Sequence, residues 1–95
     1  MVESILSNEK CCYWCHTTLR LDKHHIFYGA KNRSISDKEG CWVYLCKHHH
    51  TGYPFGVHHD HEADERLKRK CQIVWMEKNG KTIEDFRALF GKNYI

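Results

Sequence analysis

Ninety-five residues carrying a formal charge of +3 at pH 7 leave room for one small domain and no second core. Six Cys, nine His, 41% hydrophobic residues, three Trp and a single Pro exclude a disordered or linker-like chain, and a fold this small needs a staple. No apolar run reaches membrane-span length and the opening MVESILSNEK lacks a signal-peptide pattern, so the expected setting is the cytoplasm, where clustered Cys and His hold metal rather than disulfides.

In chain order, residues 9–16 gather Cys11, Cys12 and Cys15 into a tight turn. Residues 21–27 end in a β-branched and aromatic run and stop at Tyr28-Gly29, which predicts a strand. Residues 30–40 are polar and basic and read as a loop. Residues 41–46 read as a second strand, pairing with the first as an antiparallel hairpin across that loop. Gly52, Pro54 and Gly56 forbid regular structure over 51–57. A helix is expected from Asp60 to Asn79, with Asp60 as N-cap, Glu62, Asp64 and Glu65 in the first turn, and Leu67, Cys71, Val74 and Trp75 on one apolar face. Thr82 and Asp85 form a capping-box pattern opening a short helix that turns Phe86, Leu89 and Phe90 inward until Gly91. The fold class is α+β in the order β, β, α, α, with a Cys-rich amino end.

Two groups of residues carry metal chemistry. Cys12-x-x-Cys15 and Cys46-x-x-His49 are two close pairs set far apart, the way a tetrahedral structural zinc site is assembled. Cys11 competes with Cys12 for the first position, and His48 or His50 with His49 for the last. Cys41 and Cys71 read as buried small hydrophobes, and Trp14, Trp42 and Trp75 as core. The second group is His24-His25, with His50 and His58 downstream. Neighbours on a strand point to opposite faces, so one His of the pair serves a metal and the other is aimed elsewhere, unless a bulge brings both to one site.

Cys12-x-x-Cys15, the run Leu21-Asp22-Lys23-His24-His25-Ile26-Phe27 and the run from Val43 to His50 resemble the HNH nuclease family. The segments Gly56-Val57-His58 and Phe90 to Ile95 are also similar to small phage-encoded HNH proteins. The resemblance covers most of the chain. It implies a single HNH-like domain over 1–95, with a ββα-metal core at about 11–80, a zinc knuckle and a C-terminal helix at 82–91. It places His25 on the family's general base. His24, His50 and His58 fall on the ligands of a catalytic divalent cation, and Cys12, Cys15, Cys46 and His49 on the structural zinc knuckle. The family's middle Asn has no counterpart: in register it falls near Cys41, with Asn32 in the preceding stretch.

The implied activity is metal-dependent endonucleolytic hydrolysis of DNA phosphodiester bonds. His25 takes a proton from water and the cation acts as Lewis acid. An all-imidazole set suits zinc, nickel, copper or manganese, and a carboxylate in place of His24 would suit magnesium better; the ion stays open among zinc, nickel, manganese and magnesium. The implied partners are DNA, held through phosphates by Lys31, Arg33 and Lys38, and other phage or nucleic-acid-processing proteins. Arg66, Lys68, Arg69 and Lys70 read more simply as a solvated helix face. Two other readings compete with hydrolysis. One is a non-catalytic zinc-stabilised DNA-binding module, in which every His and Cys serves structure. The other is metal storage, suggested by His48-His49-His50 and the His at 58, 59 and 61.

Overall fold

The computed structural model describes residues 2–54 and 56–95, so position 55 of the irregular 51–57 stretch lies outside the described residues. Strand β1 (Leu21–His25) pairs antiparallel with β2 (Trp42–Cys46), setting Leu21 opposite Cys46 and His25 opposite Trp42. The register is continuous and needs no bulge. Strand β1 is two residues shorter than expected, although the Ile26 N–H still bonds the Cys41 carbonyl. The remaining elements are α1 (Ala30–Glu39), α2 (Lys47–His50), α3 (His61–Asn79) and α4 (Ile83–Phe90). The architecture is a two-stranded sheet with four helices, an α+β fold.

The expected loop at 30–40 is instead helix α1. Its sequence lacks an apolar stripe because polar bonds, not burial, dock it. Ser36, fully buried, donates to the Phe27 carbonyl (2.7 Å) and accepts from the Phe27 N–H (3.2 Å). Asn32 donates to the Phe90 carbonyl (3.1 Å), and Glu39 accepts from the Trp75 indole (2.8 Å). Gly40 ends the helix at φ 76°, where a Cβ would run into the Glu3 carbonyl. Asn32 is therefore committed to structure, and Cys41 is fully buried.

Helices α3 and α4 follow the sequence pattern closely. The Asp60 side chain caps α3 through the Ala63 N–H, and Thr82 and Asp85 make the reciprocal capping box of α4. Leu67, Cys71 and Trp75 enter the core, and Val74 sits half-buried at its edge. Phe27, Phe86 and Phe90 stack at 4.5–5.2 Å between ring centroids, closing the core under β1. Trp42 and Trp75 are buried, while Trp14 packs half-buried against the core.

One helix charge departs from the solvated-face expectation. Lys68 is buried, with its ammonium 3.0 Å from the buried Asp64 carboxylate and 4.2 Å from the Tyr28 ring centroid. The i, i+4 spacing turns both toward the protein, and mutual neutralisation makes that burial tolerable. No described helix is long and apolar enough to cross a membrane.

Candidate metal centres

The turn that closes over β2 builds the first cluster. Cys12, Cys15, Cys46 and His49 present ligand atoms within 4.8 Å of one another. Cys46 ends β2, and α2 brings His49 back over it, so His49 Nδ1 lies 3.3 Å from Cys46 Sγ and 3.6 Å from Cys12 Sγ. Cys15 Sγ lies 3.7 Å from Cys46 Sγ. A tetrahedral zinc with ordinary bond lengths separates two sulfurs by about 3.8 Å, and sulfur from nitrogen by about 3.6 Å. The four donors thus stand at zinc-binding separations. Burial works to raise the Cys12 thiol, but backbone N–H groups of Cys15, Cys46 and Trp14 outweigh it and bring it down to about 6. A thiolate held that way is ready to ligate. The Trp14 ring stands edge-on to His49 at 5.8 Å and limits its rotation.

The open alternatives of the sequence resolve here. Cys11 Sγ lies against Glu9 and His16, at 3.9 Å from each, and outside the cluster. The cluster uses His49 rather than His48 or His50. All six cysteines are free thiols, and Cys41 and Cys71 are buried. The contact with Cys41, and then burial, pushes the Cys71 thiol up and keeps it protonated.

His24, His50 and His58 form the second cluster, again with ring nitrogens within 4.8 Å of one another. His50 Nε2 and His58 Nε2 are 3.0 Å apart, close to the roughly 3.3 Å that two imidazoles take on one tetrahedral ion. His24 is 2% exposed and its Nε2 has no hydrogen-bond partner among the described residues, a costly arrangement that a cation would relieve. Burial, then the neighbouring His50 and His58, pushes His24 down to about 3, so its lone pair is available. Burial and His50 also lower His58. Three imidazoles fit a transition metal and leave further coordination positions open.

His25 lies on the other face of β1, as strand alternation requires, with its ring packed toward α1. Residues from both faces of β1 nonetheless line one cavity of about 240 Å³. His24, His25, His50, His58, Tyr28, Lys23 and Arg33 line it. Burial lowers His25, while the Asp37 carboxylate pulls the other way. Of the three basic residues expected to touch phosphate, Arg33 lines this cavity. Lys31 is exposed on α1 outside it, and Lys38 lies at the far end of α1 beside Glu3 and Lys78.

Sequence reasoning missed two carboxylates. Asp22 Oδ2 sits 3.0 Å from His50 Nδ1 while Lys47 holds its other oxygen at 2.6 Å, so His50 turns Nε2 toward His58. Asp22 is two residues before His24, hence on the same strand face, and strand alternation alone could have pointed to it. Asp37, on α1, lies 3.4 Å from His25 Nε2 and pairs with Lys23. It fell in the stretch read as loop.

Compared with protein-family models, with curated proteins and with solved structures, the chain finds no significant match in any of the three.

Proposed function

We propose that the protein is a metal-dependent endonuclease of HNH type that hydrolyses DNA phosphodiester bonds, with the knuckle cluster as its structural zinc site. The observation that carries this reading is the division of labour along β1. His24 is buried among two further imidazoles with an unpartnered nitrogen, while His25 opens on the same cavity without joining the cluster. A structural metal module has no use for the second imidazole; a hydrolase does.

In this reading His24, His50 and His58 would hold one divalent cation, which when bound would supply Lewis-acid stabilisation of developing charge. Asp22 fixes the orientation of His50. His25, held neutral by burial, accepts the proton of the attacking water, and Arg33 on the cavity wall binds a non-bridging phosphate oxygen. Lys31 and Lys38 contribute longer-range attraction to the DNA backbone. The two strands followed by α2 and α3 stand for the ββα-metal core.

Plasmid nicking in the presence of zinc, nickel, manganese or magnesium tests the proposal. The parent is expected to convert supercoiled to open-circular or linear DNA with at least one of these ions, and His25→Ala to lose about 100-fold or more in rate. Cleavage by His25→Ala at the parental rate removes His25 as the base. A parent that binds DNA but cuts with none of the ions is the zinc-stabilised binding module instead.

A further inference from the structure

An imidazole that accepts a proton at one nitrogen needs the other protonated and held by an acceptor, or its ring and tautomer are left to chance. Asp37 offers an acceptor to His25, with its Oδ1 3.4 Å from His25 Nε2. That separation suits a contact that tightens when substrate binds.

The carboxylate is itself fixed from two directions. Lys23, two residues before His25 on the same face of β1, pairs with Asp37, and its ammonium also lies 4.5 Å from the Trp42 ring centroid. Asp37 follows Ser36, the buried residue that bolts α1 to Phe27, so its backbone has little freedom. The side chain is 48% exposed, so it can be reached from solvent. A second cavity, of about 400 Å³, opens on this side of His25 and is lined by Lys23, Arg33, Ser34 and Asp37.

We propose that Asp37 is the positioning residue for His25: it accepts from Nε2–H, fixes the ring against α1, and leaves Nδ1 as the nitrogen with the lone pair. The assignment to a catalytic base rests on the nuclease reading above; the tautomer assignment does not. Asp37 thereby takes up the orienting task for which the sequence offers no Asn in register.

The experiment has two arms. In the first, long-range ¹H–¹⁵N NMR of the zinc-loaded protein at pH 7.5 reads the His25 tautomer. The parent and Asp37→Asn are expected in the Nε2–H form, and Asp37→Ala as a mixture. A parental Nδ1–H form, or a tautomer untouched in Asp37→Ala, overturns the proposal. In the second, plasmid cleavage by Asp37→Ala is expected to fall about 10- to 100-fold in kcat, with KM for DNA unchanged and Asp37→Asn recovering most of the loss. Unchanged kcat in Asp37→Ala, with the parent active, sinks the positioning role and leaves the nuclease standing. A locked tautomer in a parent that cuts with no ion sinks the nuclease and leaves the Asp37 contact standing. Lys23→Met is the companion variant: it frees Asp37 from its second partner and is expected to loosen the tautomer partway without unfolding the chain.

Discussion

His49 and His50 are consecutive residues on the single turn α2, yet they serve different clusters. His49 Nδ1 lies 3.3 Å from Cys46 Sγ, and His50 Nε2 lies 3.0 Å from His58 Nε2. Whatever sets the pitch of that turn sets both sites. Asp22 ties it down from β1, and Cys46 anchors its start.

The two clusters share this turn, so a change at the first is expected to reach the second. Cys15→Ser removes one zinc donor at an exposed position, so little packing is lost with it. The expected result is a cobalt complex without the tetrahedral thiolate band of the parent, and a metal affinity at His24, His50 and His58 lowered about 10- to 100-fold. Optical titration with cobalt checks both. If zinc occupies the first cluster, chelation of the parent is expected to melt the fold, since so small a core gains much of its stability from such a staple.

The strands, helices α3 and α4 and the Cys/His donor group were legible because their signals are local and periodic: alternation on the strands, caps at Asp60 and Thr82, and paired donors at short spacing. His24, His50 and His58, far apart in sequence, were assigned to one ion only through the family resemblance. Helix α1 was not, because periodicity reports buried apolar faces and α1 buries a serine. Ser36→Ala tests that account. It leaves the Phe27 N–H and carbonyl without their shared partner in the core, at a cost of about 1–3 kcal/mol. Urea denaturation measures the loss, and an unchanged midpoint would mean that α1 is held some other way. Asp37 was missed for the same reason: its meaning depends on a helix that brings it back to β1.

Stability should fall with acid in a way traceable to His24. Burial holds its folded value at about 3, below the ordinary 6.5, and burial also lowers His25 and His58. Between those values the unfolded chain binds protons that the folded chain refuses, so stability rises with pH across this range and is fully present above 6.5. With the imidazole site empty, the parent is expected to lose stability steadily from pH 7 to pH 4. His24→Leu, which cannot titrate, is expected to show a shallower decline, read from thermal unfolding at pH 7, 5.5 and 4. Parallel curves for the two proteins would remove His24 as the source.

Lys68 and Asp64 pose the opposite problem, two charges kept inside the protein. Asp64 Oδ2 takes both the Lys68 ammonium at 3.0 Å and the Tyr28 hydroxyl at 2.9 Å, and its Oδ1 has no partner among the described residues. Burial lowers Lys68, but the Asp64 carboxylate more than offsets it and raises the ammonium above its usual value. The buried ammonium thus depends on the carboxylate beside it. Lys68→Met leaves an uncompensated carboxylate in the interior and is expected to cost about 3–5 kcal/mol. Replacing both, as Lys68→Met with Asp64→Leu, removes the unpaired charge and is expected to recover most of that loss. Because Tyr28 also lines the cavity of His24 and His58, the single variant should disturb metal binding there and the double variant less so. Denaturation midpoints and cobalt affinities of the two variants decide it, and equal losses in both would show that the ion pair contributes through packing alone.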